Sequence, residues 1–62
     1  MKFVKTFDID TAEKIKASGF PCMTETVNRE TVFVFTLTEE LSALIKGSAY
    51  EDKVFFGERL LF

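Results

Sequence analysis

The chain has 62 residues, of which 47% are hydrophobic and 29% charged, with a formal charge of −2; this is a globular composition, far from that of disordered segments. With no histidine and a single cysteine, Cys22, it excludes histidine-dependent catalysis, an intrachain disulfide and a zinc site. No apolar run approaches the ~20 residues that span a bilayer, and the opening MKFVKTFDID lacks the apolar core and cleavage site of a signal peptide, so the expected setting is a cytoplasm, or a virion assembled in one.

Residues 2–7, KFVKTF, read as a first strand, with Phe3 and Lys5 on one face and Val4 and Thr6 on the other. A helix is expected over 11–18. Asp10 and Glu13 have capping-box spacing, Ala12 and Ile15 share a face, and Gly19 is placed to be the left-handed residue after the helix, with Phe20 packing back on Ile15. Residues 20–27 read as a second strand that starts at an edge or pairs only after Pro21, because proline has no N–H to give to a ladder. Asn28-Arg29 reads as a turn, and residues 30–37, ETVFVFTL, as the strongest strand, the two strands forming a hairpin.

A second helix is expected over 39–46. Thr38 is its N-cap, Glu39 and Glu40 suit the positive end of its dipole, Leu41, Leu44 and Ile45 form its apolar stripe, and Gly47 stops it. After a loop over 47–52, residues 53–62, KVFFGERLLF, form either one strand or a tight hairpin turning at Gly57-Glu58, and the hairpin is favoured. The order β-α-β-β-α-β-β predicts a single α+β domain over 1–62: a small, mostly antiparallel sheet with one or two short helices on one face.

Eight of the residues are phenylalanine, and their placement matters more than their number. In the strand over 30–37, Phe33, Phe35 and Leu37 point one way while Val32 and Val34 point the other. In a C-terminal hairpin, Phe55 and Leu60 would share one face, and Val54, Phe56 and Leu61 the other. Two short helices cover only one face of a sheet, so a sheet that is apolar on both faces needs a second cover. Three covers are open: a second copy of the chain, a different protein, or a sheet curled until it encloses itself. The first two make Val32, Val34, Val54, Phe55, Phe56, Leu60, Leu61 and Phe62 candidate interaction residues, with itself as a homo-oligomer or another protein as the partner.

No constellation in the chain calls for a cofactor or a metal. Cys22 follows Pro21 in a strand with no basic neighbour, and reads as a small core residue. The pairs Asp8/Asp10, Glu39/Glu40 and Glu51/Asp52 lack the spacing of a calcium loop and read as helix-start and loop residues. Gly19, Gly47 and Gly57 are too scattered for a phosphate loop. KFVKTF interleaves aromatic residues with lysines, as a single-strand nucleic-acid platform does, but the acidic balance of the chain opposes that reading.

In Asp8, Thr11, Ala12, Ile15, Gly19 and Phe20 the opening third of the chain resembles small uncharacterised proteins of bacteriophages and prophages of Gram-positive bacteria, which begin with a short strand, an Asp-x-x-Thr-Ala-like helix start and Gly-Phe. The resemblance implies a phage origin and no particular activity. The expected function is a non-enzymatic module that self-associates or binds another protein, a minor structural component of a phage particle. A second expectation is a small acidic inhibitor of a host defence enzyme, which requires Glu25, Glu30, Glu39, Glu40, Glu51, Asp52 and Glu58 to gather on one face. A third is a nucleic-acid-binding regulator, whose binding would fall steeply with salt.

Overall fold

The computed structural model describes residues 2–60. Along them run β1 (Phe3–Thr6), α1 (Ile9–Ala17), β2 (Met23–Val27), β3 (Glu30–Thr36), α2 (Glu39–Ile45), a 3-10 turn (Glu51–Lys53) and β4 (Phe55–Gly57). The four strands form one antiparallel sheet in the order β2-β3-β1-β4, so the fold is α+β, as the element order predicts. β2 is an edge strand and begins after Pro21, where the missing proline N–H is harmless. The β2–β3 hairpin turns at Asn28 and Arg29, both left-handed with φ of 51° and 68°, the backbone of a turn whose twist matches that of the flanking strands.

The first helix starts earlier than the capping-box spacing at Asp10 suggests. Asp8 is its N-cap, and the Asp8 carboxylate accepts from both the backbone N–H of Thr11 (3.0 Å) and the Thr11 hydroxyl (2.6 Å). Two donors on one carboxylate outcompete the single N–H that Asp10 would meet, and Asp10 instead sits in the first turn, facing the positive end of the helix. The Thr11 hydroxyl, then the Thr11 N–H, hold the Asp8 carboxyl below its ordinary value, with Lys53 and Lys14 adding a smaller pull. At the other end Gly19 adopts φ of 97° and gives its N–H to the Lys16 carbonyl, and Phe20 packs against the core that contains Ile15. The second helix begins as expected: the Thr38 hydroxyl accepts from Leu41 N–H, and the chain leaves through Gly47 at φ of 72°.

Both helices cover the same face of the sheet. Val4 and Phe35 from the strands meet Ala12 and Ile15 of α1 and Leu41 and Ile45 of α2, with Phe20, Cys22, Phe33, Leu37, Leu44 and Val54 packed around them. Phe3, Val32 and Val34 form a second cluster on the opposite face, with Val27 and Phe55 against it. The alternation read in residues 30–37 is thus the one that folds.

The favoured C-terminal hairpin is corrected by the structure. Among the described residues the segment is one strand, β4, and Glu58–Leu60 bend away without a second strand; Leu61 and Phe62 lie outside the described residues. Gly57 is not in the left-handed region that a hairpin turn of the expected type needs at its first central residue. It sits inside the β1–β4 ladder opposite Phe3, where the Lys5 side chain passes so close that a Cβ would meet Lys5 Cε at 3.3 Å. The glycine is there for close approach, not for a turn.

Candidate functional site

β1 lies between β3 and β4, and its Lys5 points into the second face. Lys5 is 1% exposed. Its ammonium donates to Glu25 Oε1 on β2 at 3.1 Å and to the Arg59 carbonyl, just past β4, at 2.8 Å. Glu25 is opposite Val32, whereas Gly57 is opposite Phe3 and, through it, Thr36, so Glu25 and Gly57 occupy diagonal corners of the sheet. The outer strands of a flat four-stranded sheet stand about 14 Å apart at ~4.8 Å per strand, and the diagonal is longer still. Yet the Lys5 ammonium, bonded to Glu25, also lies 3.8 Å from where a Gly57 Cβ would stand, which a flat sheet does not allow. The sheet is therefore coiled, with its second face concave and Lys5 in the hollow.

This coil disposes of part of the candidate interaction surface. Val32 and Val34 are fully buried within one protomer, so they are not contact residues; of the three covers left open by the sequence, curling of the sheet is the one that accounts for them. Val54 and Phe55 are half-buried, each packed on one of the two core clusters. Phe56 and Leu60 are exposed, at 59% and 49%. Leu61 and Phe62 lie outside the described residues.

The exposed apolar side chains that the sequence reading missed are Phe7, Ile9 and Met23. Phe7 stacks on Phe55, with ring centroids 5.7 Å apart, and so adds to the rim around β4. Phe7 and Ile9 also line a shallow hollow of about 390 Å³ with Glu30, Thr31 and Phe33. A second hollow, of about 580 Å³, is lined by Lys5 and by Phe55, Phe56, Gly57, Glu58 and Arg59. The signal for Phe7 lay in its parity with Phe3 and Lys5, which places it beside the second face once the strand pairs; the strand ends at Thr6, so nothing of the sheet continues over it.

The remaining sequence candidates take structural positions. Cys22 is half-buried against the helix-side core, its thiol donating to the Met23 carbonyl at 3.4 Å. Phe3 and Lys5 are buried, which leaves Phe7 as the exposed ring of KFVKTF. Glu25 is buried against Lys5 and is removed from any acidic surface. Among the described residues no three histidine, cysteine, aspartate or glutamate side chains come together as metal ligands would, and no helix is long and apolar enough to cross a membrane.

Comparisons with protein-family models, with curated proteins and with solved structures found no match to this chain.

Proposed function

We propose that this chain is a non-enzymatic protein-interaction module that self-associates through the rim of β4. The observation that carries the reading is Phe56: a phenylalanine 59% exposed on a three-residue strand that is, among the described residues, an edge of the sheet. Large apolar side chains beside the edge of a sheet make it adhesive. Leu60 extends the rim beyond the strand and Phe7 extends it over Phe55. The coil of the sheet supports placing the contact here, since it withdraws Val32 and Val34 and leaves the rim as the apolar surface still exposed near β4. The N-terminal resemblance supports a phage setting, in which such a module serves as a minor component of the particle. The burial of Phe3 and Lys5 narrows the nucleic-acid reading to Phe7, and that of Glu25 takes one of seven acids from the inhibitor reading.

Sedimentation across a concentration series tests the proposal. The wild-type chain is expected to associate as concentration rises, and the double variant Phe56→Ser/Leu60→Ser to remain monomeric while keeping its fold. A wild-type chain that stays monomeric throughout overturns self-association through this rim.

A further inference from the structure

We infer that the Lys5–Glu25 pair is a clasp that keeps the sheet coiled and so closes its second face to association with another copy. The inference goes beyond the rim reading and does not depend on it. The second face is apolar in Phe3, Val32 and Val34, with Val27 and Phe55 packed on them, and no helix residue joins this cluster. Phe3 is nevertheless 7% exposed and both valines are fully buried. Curling of the sheet supplies that cover. Burial of apolar surface, however, is non-directional. A second sheet laid face to face would cover the same side chains as well as a coil does. Hydrophobic contact alone therefore does not choose between one closed chain and two opened ones stacked together.

The ion pair makes the choice. Lys5 Nζ reaches Glu25 Oε1 on β2 at 3.1 Å and the Arg59 carbonyl past β4 at 2.8 Å. Both edges of the sheet thus converge on one atom. Flattening the sheet pulls one of these partners away, and a second copy laid over the opened face would seal the ammonium in without it. A buried charge short of its partners is strongly unfavourable, so the stacked alternative is raised in energy while the coil is not. Stability does not account for the pair. Two charges with side chains 1% and 6% exposed sit beside an apolar cluster, where apolar residues of similar size often serve as well or better. Selection of the closed form does account for it, since hydrogen bonds are directional and hydrophobic contacts are not. Gly57 belongs to the same device: it leaves the passage through which the Lys5 stem crosses toward β4.

Two measurements on the apolar variant Lys5→Met/Glu25→Leu test the clasp. Spin labels at Thr24→Cys on β2 and Glu58→Cys past β4, both exposed positions, report the separation of the two edges in a Cys22→Ser chain. The labelled chain is diluted into an excess of the same chain without labels, so that only distances within one molecule are read. Replacing the pair is expected to lengthen the separation by about one strand spacing, ~5 Å. Sedimentation is then run on Phe56→Ser/Leu60→Ser, in which the rim contact is removed, with and without Lys5→Met/Glu25→Leu. The chain lacking the pair is expected to associate where its parent does not. A separation that stays the same, or a chain that stays monomeric without the pair, overturns the inference. Neither result bears on the rim, which the wild-type concentration series decides. Should the apolar variant fail to fold, Glu25→Gln, which keeps an acceptor oxygen and removes the charge, takes its place: a component at longer separation supports the clasp, and an unchanged distribution refutes it.

Discussion

Lys5 on β1 and Glu25 on β2 form a buried ion pair at 3.1 Å across the strand that separates them, and the same ammonium holds the Arg59 carbonyl beyond β4. The pair thus ties both edges of the sheet to one atom in the hollow of the coil. Replacing one member of a buried pair strands the other charge, which typically costs about 3–5 kcal/mol, whereas replacing both by apolar groups of similar size is often neutral. A chain of this length is expected to have only ~3–9 kcal/mol of stability in total.

Lys5→Met is therefore expected to destabilise the protein by about 3 kcal/mol, close to the point of unfolding. The double variant Lys5→Met/Glu25→Leu should recover most of that loss. Urea denaturation of the three chains provides the comparison, and a double variant no more stable than Lys5→Met would contradict the account.

At Gly57 the prediction follows from Lys5 being pinned at its ammonium by Glu25 and Arg59. An added Cβ meets Lys5 Cε at 3.3 Å, and a tethered side chain has little room to yield. Gly57→Ala is expected to cost about 1 kcal/mol and Gly57→Val more, in the range of overpacked cores. Equal or greater stability for Gly57→Ala would show that Lys5 moves aside freely.

Arg29 offers a stabilising change. It holds φ of 68° with a Cβ present, next to Asn28 at 51°. A non-glycine residue in the left-handed region carries a penalty of about 1 kcal/mol, and Asn-Gly is the sequence this turn prefers. Arg29→Gly should raise stability by up to roughly 0.5 kcal/mol after the entropy lost by glycine on folding is counted. A lower melting temperature for Arg29→Gly would show that the arginine side chain makes a contribution larger than the backbone strain.

Acid should weaken the start of α1. Thr11 lowers the Asp8 pKa in the folded chain below its unfolded value of about 3.9. The unfolded chain then binds more protons in that window, so the contribution of Asp8 is present above the unfolded value and is lost as pH falls through the folded one. Asp8→Asn keeps a capping oxygen but does not titrate. The gap in melting temperature between wild type and Asp8→Asn is expected to narrow on acidification below the unfolded value, and a gap that stays constant or widens would exclude this role for the carboxylate.

What could be read from the sequence was local. The period-two pattern of residues 30–37, the Thr38 cap, the left-handed Gly19 and the Asn28-Arg29 turn each depend on groups within four positions of one another, and each appears in the structure as read. Phe56 and Leu60 were among the apolar interaction candidates, and the structure exposes them where it buries Val32 and Val34. Tertiary structure decided the rest: the coil that buries Val32 and Val34, the ion pair between residues 20 positions apart, the Lys5–Arg59 bond across 54 positions, and the use of Gly57 as a passage for Lys5 rather than a turn. A short window of sequence carries no information on which distant strand will lie alongside. Here the β1–β4 pairing places Lys5, which the sequence shows only as sharing a face with Phe3, at the centre of the sheet.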